Sequence, residues 1–280
     1  MAQSLITPTD RSIVHDIEIA APVSTVWNAL TDAQELVRWF PLDALVRPGT
    51  GGSIQLSWGY PAIVELAIEI WTPHEQLTLR EVVPFGAPFQ PPEAASVTRT
   101  VDFTFRAGGK GTLLRLVHSG FGTSPAWDDF YNTTSQAWDF QLHALLVYVE
   151  HYLGQTRHVA WARSVSNLSP AETWQRVVGP QGLVRTGAVQ NLLRGDSYSF
   201  VEPGGTPFTG SVLTFQHGKQ FAGTVPSGLL RIVSDSCGGV RQASVWQAKY
   251  TTTSDAALEA SRQITVLEQS WTHTLQRVLQ

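Results

Sequence analysis

The stretch IAAPVSTVWNALTDAQELVRWF, residues 19–40, decides the fold. It finishes a strand, turns at Ala21-Pro22 and enters a short helix carrying Trp27 and Leu30. Proline suits the first position of a helix, where its missing N–H leaves no bond unmade. A polar break at Thr31-Asp32 separates this helix, roughly 23–31, from a second at 33–39 that closes on Trp39-Phe40. The phrase is then written again. SPAETWQRVVGPQGLVR, residues 169–185, places Trp174 where Trp27 stood, 147 positions on, with Leu183-Val184-Arg185 over Leu36-Val37-Arg38. A helix–break–helix phrase written twice predicts a domain written twice.

The flanking patterns agree. RSIVHDIEIA (11–20) alternates, with Ile13, His15, Ile17 and Ile19 on one side, the period of a half-buried strand. After the two helices come alternating runs at 51–59, 62–71 and 75–83 with short connections, which make neighbouring antiparallel strands. PFGAPFQPPEAA (84–95) is too proline-rich for anything but a loop. Residues 96–120 form a hairpin turning at Gly108-Gly109-Lys110-Gly111. A long helix spans about 125–153: Ser124 is placed to cap it, Pro125 starts it, and Asp128 and Asp129 suit the positive end of its dipole. Trp127, Tyr131, Trp138, Leu142, Leu145, Val149 and Tyr152 share one stripe. The second half repeats the order, with strands at 158–166, 197–202, 211–217, 220–225, 229–234 and 240–250 and a helix from Asp255 onward.

The totals set limits on function. At 280 residues the chain exceeds the usual single domain of roughly 100–150 residues, and we expect domains at 1–154 and 155–280. No window approaches the ~18 unbroken apolar residues of a membrane span, and MAQSLITPTDRS lacks the pattern of a secretory signal. The single cysteine, Cys237, excludes an internal disulfide and any cysteine-rich metal site. A cytoplasmic protein is expected, without membrane contact. Net charge is −4, divided as 8 Lys/Arg against 16 Asp/Glu in residues 1–154 and 11 against 7 beyond. Neither half interleaves basic blocks with aromatics, so no nucleic-acid partner is expected.

IEIAAPVSTVWNALTDAQELVRWF, then VRPGTGGSIQLSWG, then TLLRLVHSGFG before the long helix, together resemble the START-like (SRPBCC) superfamily. The branch they are most similar to is the homologue family of the activator of the ninety-kilodalton heat-shock chaperone's ATPase. The resemblance covers about residues 11–153, and residues 158–280 look like a degenerate copy. It implies an α+β protein of tandem helix-grip domains: strand, two short helices, six antiparallel strands and a long C-terminal helix gripped by a curved sheet. It also implies a cavity between sheet and helix that accepts a small apolar or aromatic molecule. Members include carriers, cyclases and chaperone regulators, so the fold leaves the chemistry open.

The candidate ligand-binding set follows from elements that this fold turns inward: Trp39, Phe40, Trp58, Trp71, Phe85, Phe103, Phe105, Phe121, Trp127, Tyr131 and Trp138, with His118 at the opening. Trp127 and Tyr131, beside the glycines of HSGFG, would form a mobile lip. Trp27 and Trp174 are core. None of the eight histidines has a metal-binding spacing, and we expect no metal and no cofactor. His118 would need an orienting partner to act as a base, for which Asp102 on the neighbouring strand is conceivable; a structural hydrogen-bonding role is expected instead. Arg99, Arg115, Glu65 and Glu69 are expected in solvent. The glycine clusters at 49–52 and 108–111 are turns, lacking the phosphate-loop spacing. No catalytic set is visible, so a binding module leads. An enzyme of cyclase or hydrolase type comes next, and a co-chaperone-like or stress-related interaction module with a protein partner third.

Overall fold

A computed structural model describes residues 10–59, 62–82, 97–237 and 240–280, the side chains of 236–237 aside. The chain divides into two compact units, Met1–Leu153 and Gly154–Gln280. The proline-rich stretch 84–95, with Phe85, lies outside the described residues.

The first unit runs β1 (Asp10–Ile19), α1 (Val23–Thr31), α2 (Ala33–Leu36), β2 (Asp43–Arg47), β3 (Ser53–Ser57), β4 (Ile63–Thr72), β5 (Gln76–Val82), β6 (Thr100–Ala107), β7 (Thr112–Gly122) and α3 (Asp128–Val147). The seven strands make one antiparallel sheet in the order β1-β7-β6-β5-β4-β3-β2. Consecutive strands pair as hairpins and β1 returns beside β7, so the sheet's two ends in sequence meet in space. Alternation sets the faces: Leu77 and Leu79 on β5, Val101, Phe103 and Phe105 on β6, and Leu114 and Leu116 on β7 are all buried. Their shared face looks toward α3.

Local chemistry explains the elements. Asp32 is the break between the short helices because its Oδ1 accepts from the N–H groups of Gln34 and Glu35, at 2.8 and 3.0 Å, capping α2. Trp39 then hangs below α2, its indole N–H donating to the Ala29 carbonyl at 2.8 Å. The second helix is thus only four residues, shorter than the pattern suggested, and turns carry the chain to Trp39. β2 was not legible either: its burial alternates over only a few residues, with Leu45 63% exposed on the sheet's edge.

The long helix opens as a 3₁₀ turn at Pro125–Trp127 and closes as a π turn at Tyr148–Tyr152. Ser124 holds the N-cap position without a side-chain cap bond; its carbonyl instead accepts from Trp127 at 3.0 Å. At the far end Tyr148 donates to Glu35 at 2.5 Å and Glu150 accepts the Ala20 N–H at 2.7 Å, tying the helix to α2 and β1.

The second unit repeats the topology: β8 (Thr156–Val165), α4 (Pro170–Val178), β9 (Thr186–Gly187), β10 (Ser197–Val201), β11 (Pro207–Gln216), β12 (Gln220–Val225), β13 (Gly228–Cys237), β14 (Val240–Thr251) and α5 (Ser254–Leu279). Its strand order, β8-β14-β13-β12-β11-β10-β9, is the first sheet's order shifted by seven. Ser169, Pro170 and Glu172 form a full capping box at the start of α4. Trp174 is 4% exposed, as is Trp27. The echo is incomplete in one respect: residues 179–185 form turns rather than a second helix, because Gly179 and Gly182 break the run and Leu183 N–H returns to the Val177 carbonyl at 2.7 Å. The two units are therefore α+β helix-grip domains in tandem.

Candidate functional site

The predicted aromatic residues separate into three groups along the first unit. Trp71 and Phe105 each meet Trp27 edge-on at 5.2 Å, which makes them part of the packing around α1. A second group lies where α2, β3 and α3 face each other. Phe40 stacks on Trp39 at 4.9 Å, meets Trp58 at 5.2 Å and leans on Trp138 at 5.8 Å, and Trp138 meets Phe103 at 6.0 Å. Phe40, Trp58 and Trp138 are only partly buried. The third group gathers Phe121, Trp127 and Ile13 as a buried cluster with Phe130, Tyr131 and Trp138 around it.

The third group is fastened. Arg11 donates through Nε to the Gly122 carbonyl at 2.9 Å, pairs with Asp128 at 2.7 Å and lies 4.5 Å over the Tyr131 ring, while Tyr131 donates to the Ser12 carbonyl at 3.2 Å. The glycines of HSGFG allow close approach. A Cβ on Gly122 would stand 2.3 Å from the Trp127 indole nitrogen; one on Gly120, whose φ is +90°, would stand 2.4 Å from the Thr98 carbonyl and 3.2 Å from Arg99 Cγ. These two absences let Trp127 seat on β7 and let Arg99 fold beneath the helix.

Arg99 was expected in solvent; it is wholly buried, because it shares the inward face with Val101, Phe103 and Phe105. Burial of a guanidinium is costly unless it is paired. The pairing partner is Glu81 on β5: Arg99 Nε and Nη2 both donate to Oε2, at 2.8 and 2.5 Å. The other carboxylate oxygen, Oε1, faces His118 Nε2 at 3.1 Å, a close polar contact. Burial by itself would raise the Glu81 carboxyl; the contacts with His118 and Arg99 outweigh it and hold the group below the ordinary carboxylate range.

His118, 3% exposed, has its tautomer set by Trp138, whose indole N–H donates to Nδ1 at 3.0 Å. An indole nitrogen only donates, so Nδ1 carries the lone pair and Nε2 the proton. With its one lone pair occupied, His118 is a donor in this arrangement and not a base. Asp102 plays no part: it lies on the opposite face of the sheet, accepting from Thr78 at 2.6 Å and Gln76 at 3.0 Å. Arg115, Glu69 and Glu65 are exposed, the first two in surface pairs with Asp16 and Arg80. Glu81 was missed altogether, although its parity with Leu77 and Leu79 was available in the sequence.

The result is a Glu81–Arg99–His118 cluster, with Arg99 and His118 buried, that meets the partly exposed aromatic wall at Trp138. At the matching end of the second sheet, β12 ends on Val225 paired with Gly228, and Leu230 pairs with Gln247. No charged trio stands there. The second interior is filled by stacked and edge-on rings, with Phe200 on Phe208 at 5.3 Å, Tyr198 on Phe221 at 4.8 Å and Phe208 near Trp271 at 6.1 Å. Among the described residues no group of three potential metal ligands comes together, and no helix is long and apolar enough to cross a membrane.

Comparisons with known proteins find several similarities. A protein from Mesorhizobium loti is 21% identical over 51% of this chain and 99% of its own, with a TM-score of 0.45. The Aha1 dimer protein from Colwellia psychrerythraea is 19% identical over 51% and 99%, with a TM-score of 0.44. The di-domain ARO/CYC BexL from the BE-7585A biosynthetic pathway is 14% identical over 96% and 99%, also at 0.44. No curated protein sequence matches the chain. The model of the family described as Activator of Hsp90 ATPase homolog 1-like protein matches residues 20–150, from the end of β1 to the π turn that closes the long helix. The first unit is similar to that family over this span.

Proposed function

We propose that this protein binds a small hydrophobic or aromatic molecule between the sheet and long helix of its first unit. The observation that carries the reading is the aromatic run Trp58–Phe40–Trp138–Phe103, partly exposed at its outer members and ending on buried polar groups. An apolar wall with a few fixed polar groups is the usual make-up of a small-molecule site. Trp127 and Tyr131, fastened by Arg11, set the position of the helix that roofs this space, and the ligand would enter past Phe40 and Trp58. A cytoplasmic setting is supported by the single cysteine in 280 residues.

The test is native mass spectrometry of the purified chain, to detect a retained small molecule, beside tryptophan-emission titrations with aromatic hydrocarbons and fatty acids. Binding should saturate, and Trp138→Ala should weaken it by about 1–3 kcal/mol, the scale of one buried aromatic contact. A panel with no saturable binding would overturn the proposal. So would affinity indifferent to Trp138→Ala and Phe40→Ala.

A further inference from the structure

Sheet edges expose unpaired backbone groups, and folded proteins usually cover or interrupt them. Three of the four edges in this chain are guarded. Side chains that follow the first sheet bond to β1 and its exit, Tyr131 to the Ser12 carbonyl at 3.2 Å and Glu150 to the Ala20 N–H at 2.7 Å. Glu268 of α5 takes the Trp161 N–H of β8 at 3.1 Å, and β9 is only two residues long. The fourth edge is β2, Asp43–Arg47, beyond which no strand lies among the described residues.

The register fixes which groups this edge offers. Trp58 N–H bonds to the Ala62 carbonyl at 2.9 Å, so Ile54, Leu56 and Trp58 turn their backbone groups to β4, and Ser53, Gln55 and Ser57 turn theirs to β2. Asp43, Leu45 and Arg47 stand opposite those last three. The N–H and C=O groups of Ala44 and Val46 therefore point to the open edge. The Ala44 N–H agrees, since it donates to the side chain of its own neighbour Asp43 at 2.9 Å. Asp43, Leu45 and Arg47 line up on the outer face, all exposed, with Leu45 at 63%, while Ala44 faces inward.

We propose that β2 is a docking edge for a second copy of this chain, joined antiparallel about a twofold axis at Leu45. The strand DALVR is its own complement in this register. Ala44 of each copy meets Val46 of the other, and each such pair exchanges two backbone hydrogen bonds. Leu45 meets Leu45 at a position without backbone bonds, where Cα atoms come within about 4.5 Å and side chains touch. Asp43 of each copy meets Arg47 of the other, giving two opposite-charge pairs on the same face. A slip of one residue mismatches the backbone donors, and a slip of two sets Asp43 or Arg47 against Leu45. Pro48, with no N–H, ends the ladder. So short a contact makes a weak dimer rather than a permanent one.

Sedimentation of the full chain over a wide concentration range is the experiment, with thermal unfolding to follow the fold of each variant. Wild type should pass from monomer to dimer as concentration rises. Asp43→Arg makes both ends of the strand positive and Arg47→Glu makes both negative, so each alone should lower the association constant about tenfold or more. Mixing these two variants restores opposite charges at both ends and should return a dimer holding one copy of each. The double variant Asp43→Arg/Arg47→Glu exchanges the charges and should dimerise as wild type does. Leu45→Lys should weaken association while leaving both charge pairs in place. A wild-type chain that stays monomeric at the highest concentration overturns the inference. A dimer indifferent to these substitutions, or one that neither the mixture nor the double variant restores, uses another face and overturns it too.

Discussion

Breaking the Glu81–Arg99 pair from one side should be far more damaging than removing it whole. Arg99 is 0% exposed and Glu81 16% exposed, and through the two donor contacts at 2.8 and 2.5 Å Glu81 is the guanidinium's only ionic partner among the described residues. Glu81→Leu leaves a buried cation uncompensated, a loss of about 3–5 kcal/mol. Glu81→Leu/Arg99→Met replaces the pair by apolar groups of similar size, which is typically neutral or stabilising by about 1–4 kcal/mol. Arg99 already leaves Nη1 unpartnered, so the pair is incompletely satisfied in the native state and the double variant should come close to wild type. The two units need not unfold together. Urea titrations should therefore be read by hydrogen exchange in β5–β7 peptides, which reports opening of the first unit. Acidity supplies a second axis. The Glu81 carboxyl sits below its ordinary value of 4.5 in the folded chain. Its contribution is full above that value and is lost as pH falls through the lower folded one. The double variant should lack this part of the acid sensitivity. A single variant costing under about 1 kcal/mol, or a double variant as unstable as the single, would refute the account.

Two further outcomes separate packing from binding. Trp27→Ala should destabilise the first unit by about 3–5 kcal/mol, as for other buried large-to-small changes, and Trp174→Ala the second unit by a similar amount; exchange in the opposite unit's peptides should not move in either case. Gly122→Ala drives a methyl to 2.3 Å from the Trp127 indole nitrogen, so it should cost about 1–3 kcal/mol and loosen the start of α3 in exchange experiments, whatever its effect on ligand affinity.

The fold was legible because its signals are local and doubled. Asp32 breaking a helical run, Pro22 and Pro170 opening helices, and strict alternation in β6 and β7 each act over a few residues, and the second unit repeats them. What failed had tertiary causes. Residues 179–185 share the wording of the first unit's second helix but hold two glycines that turn the chain. Arg99 was assigned to solvent on residue type, although its parity with Val101 and Phe103 put it inside. Only the approach of Glu81 from another strand makes that position affordable for a cation, and pairing across strands is not written in either strand alone. The choice of Asp102 as partner of His118 shows the same limit. Adjacency of strands was right, but parity sends Asp102 to the other face, where Thr78 and Gln76 hold it.

The duplication itself argues that the buried cluster is not demanded by the fold. Two sheets of identical strand order, each with its long helix, are built in one chain. In one, the rungs facing the helix carry a carboxylate, a guanidinium and an imidazole; in the other, the matching end carries Val225, Gly228 and Gln247, and aromatic rings close the interior. A buried ion pair seldom improves stability over an apolar replacement, and the second unit shows that this topology packs without one. Glu81, Arg99 and His118 thus stand at a net cost in a place where the architecture offers an apolar solution. Residues held on those conditions are where a sequence departs from folding rules for the sake of a site. If a chimera with Glu81→Val, Arg99→Gly and His118→Gln, the residues of the second unit's matching end, folds as stably as wild type and binds the aromatic hydrocarbons and fatty acids of the titration panel equally well, the cluster is neither structural nor functional and this reasoning fails.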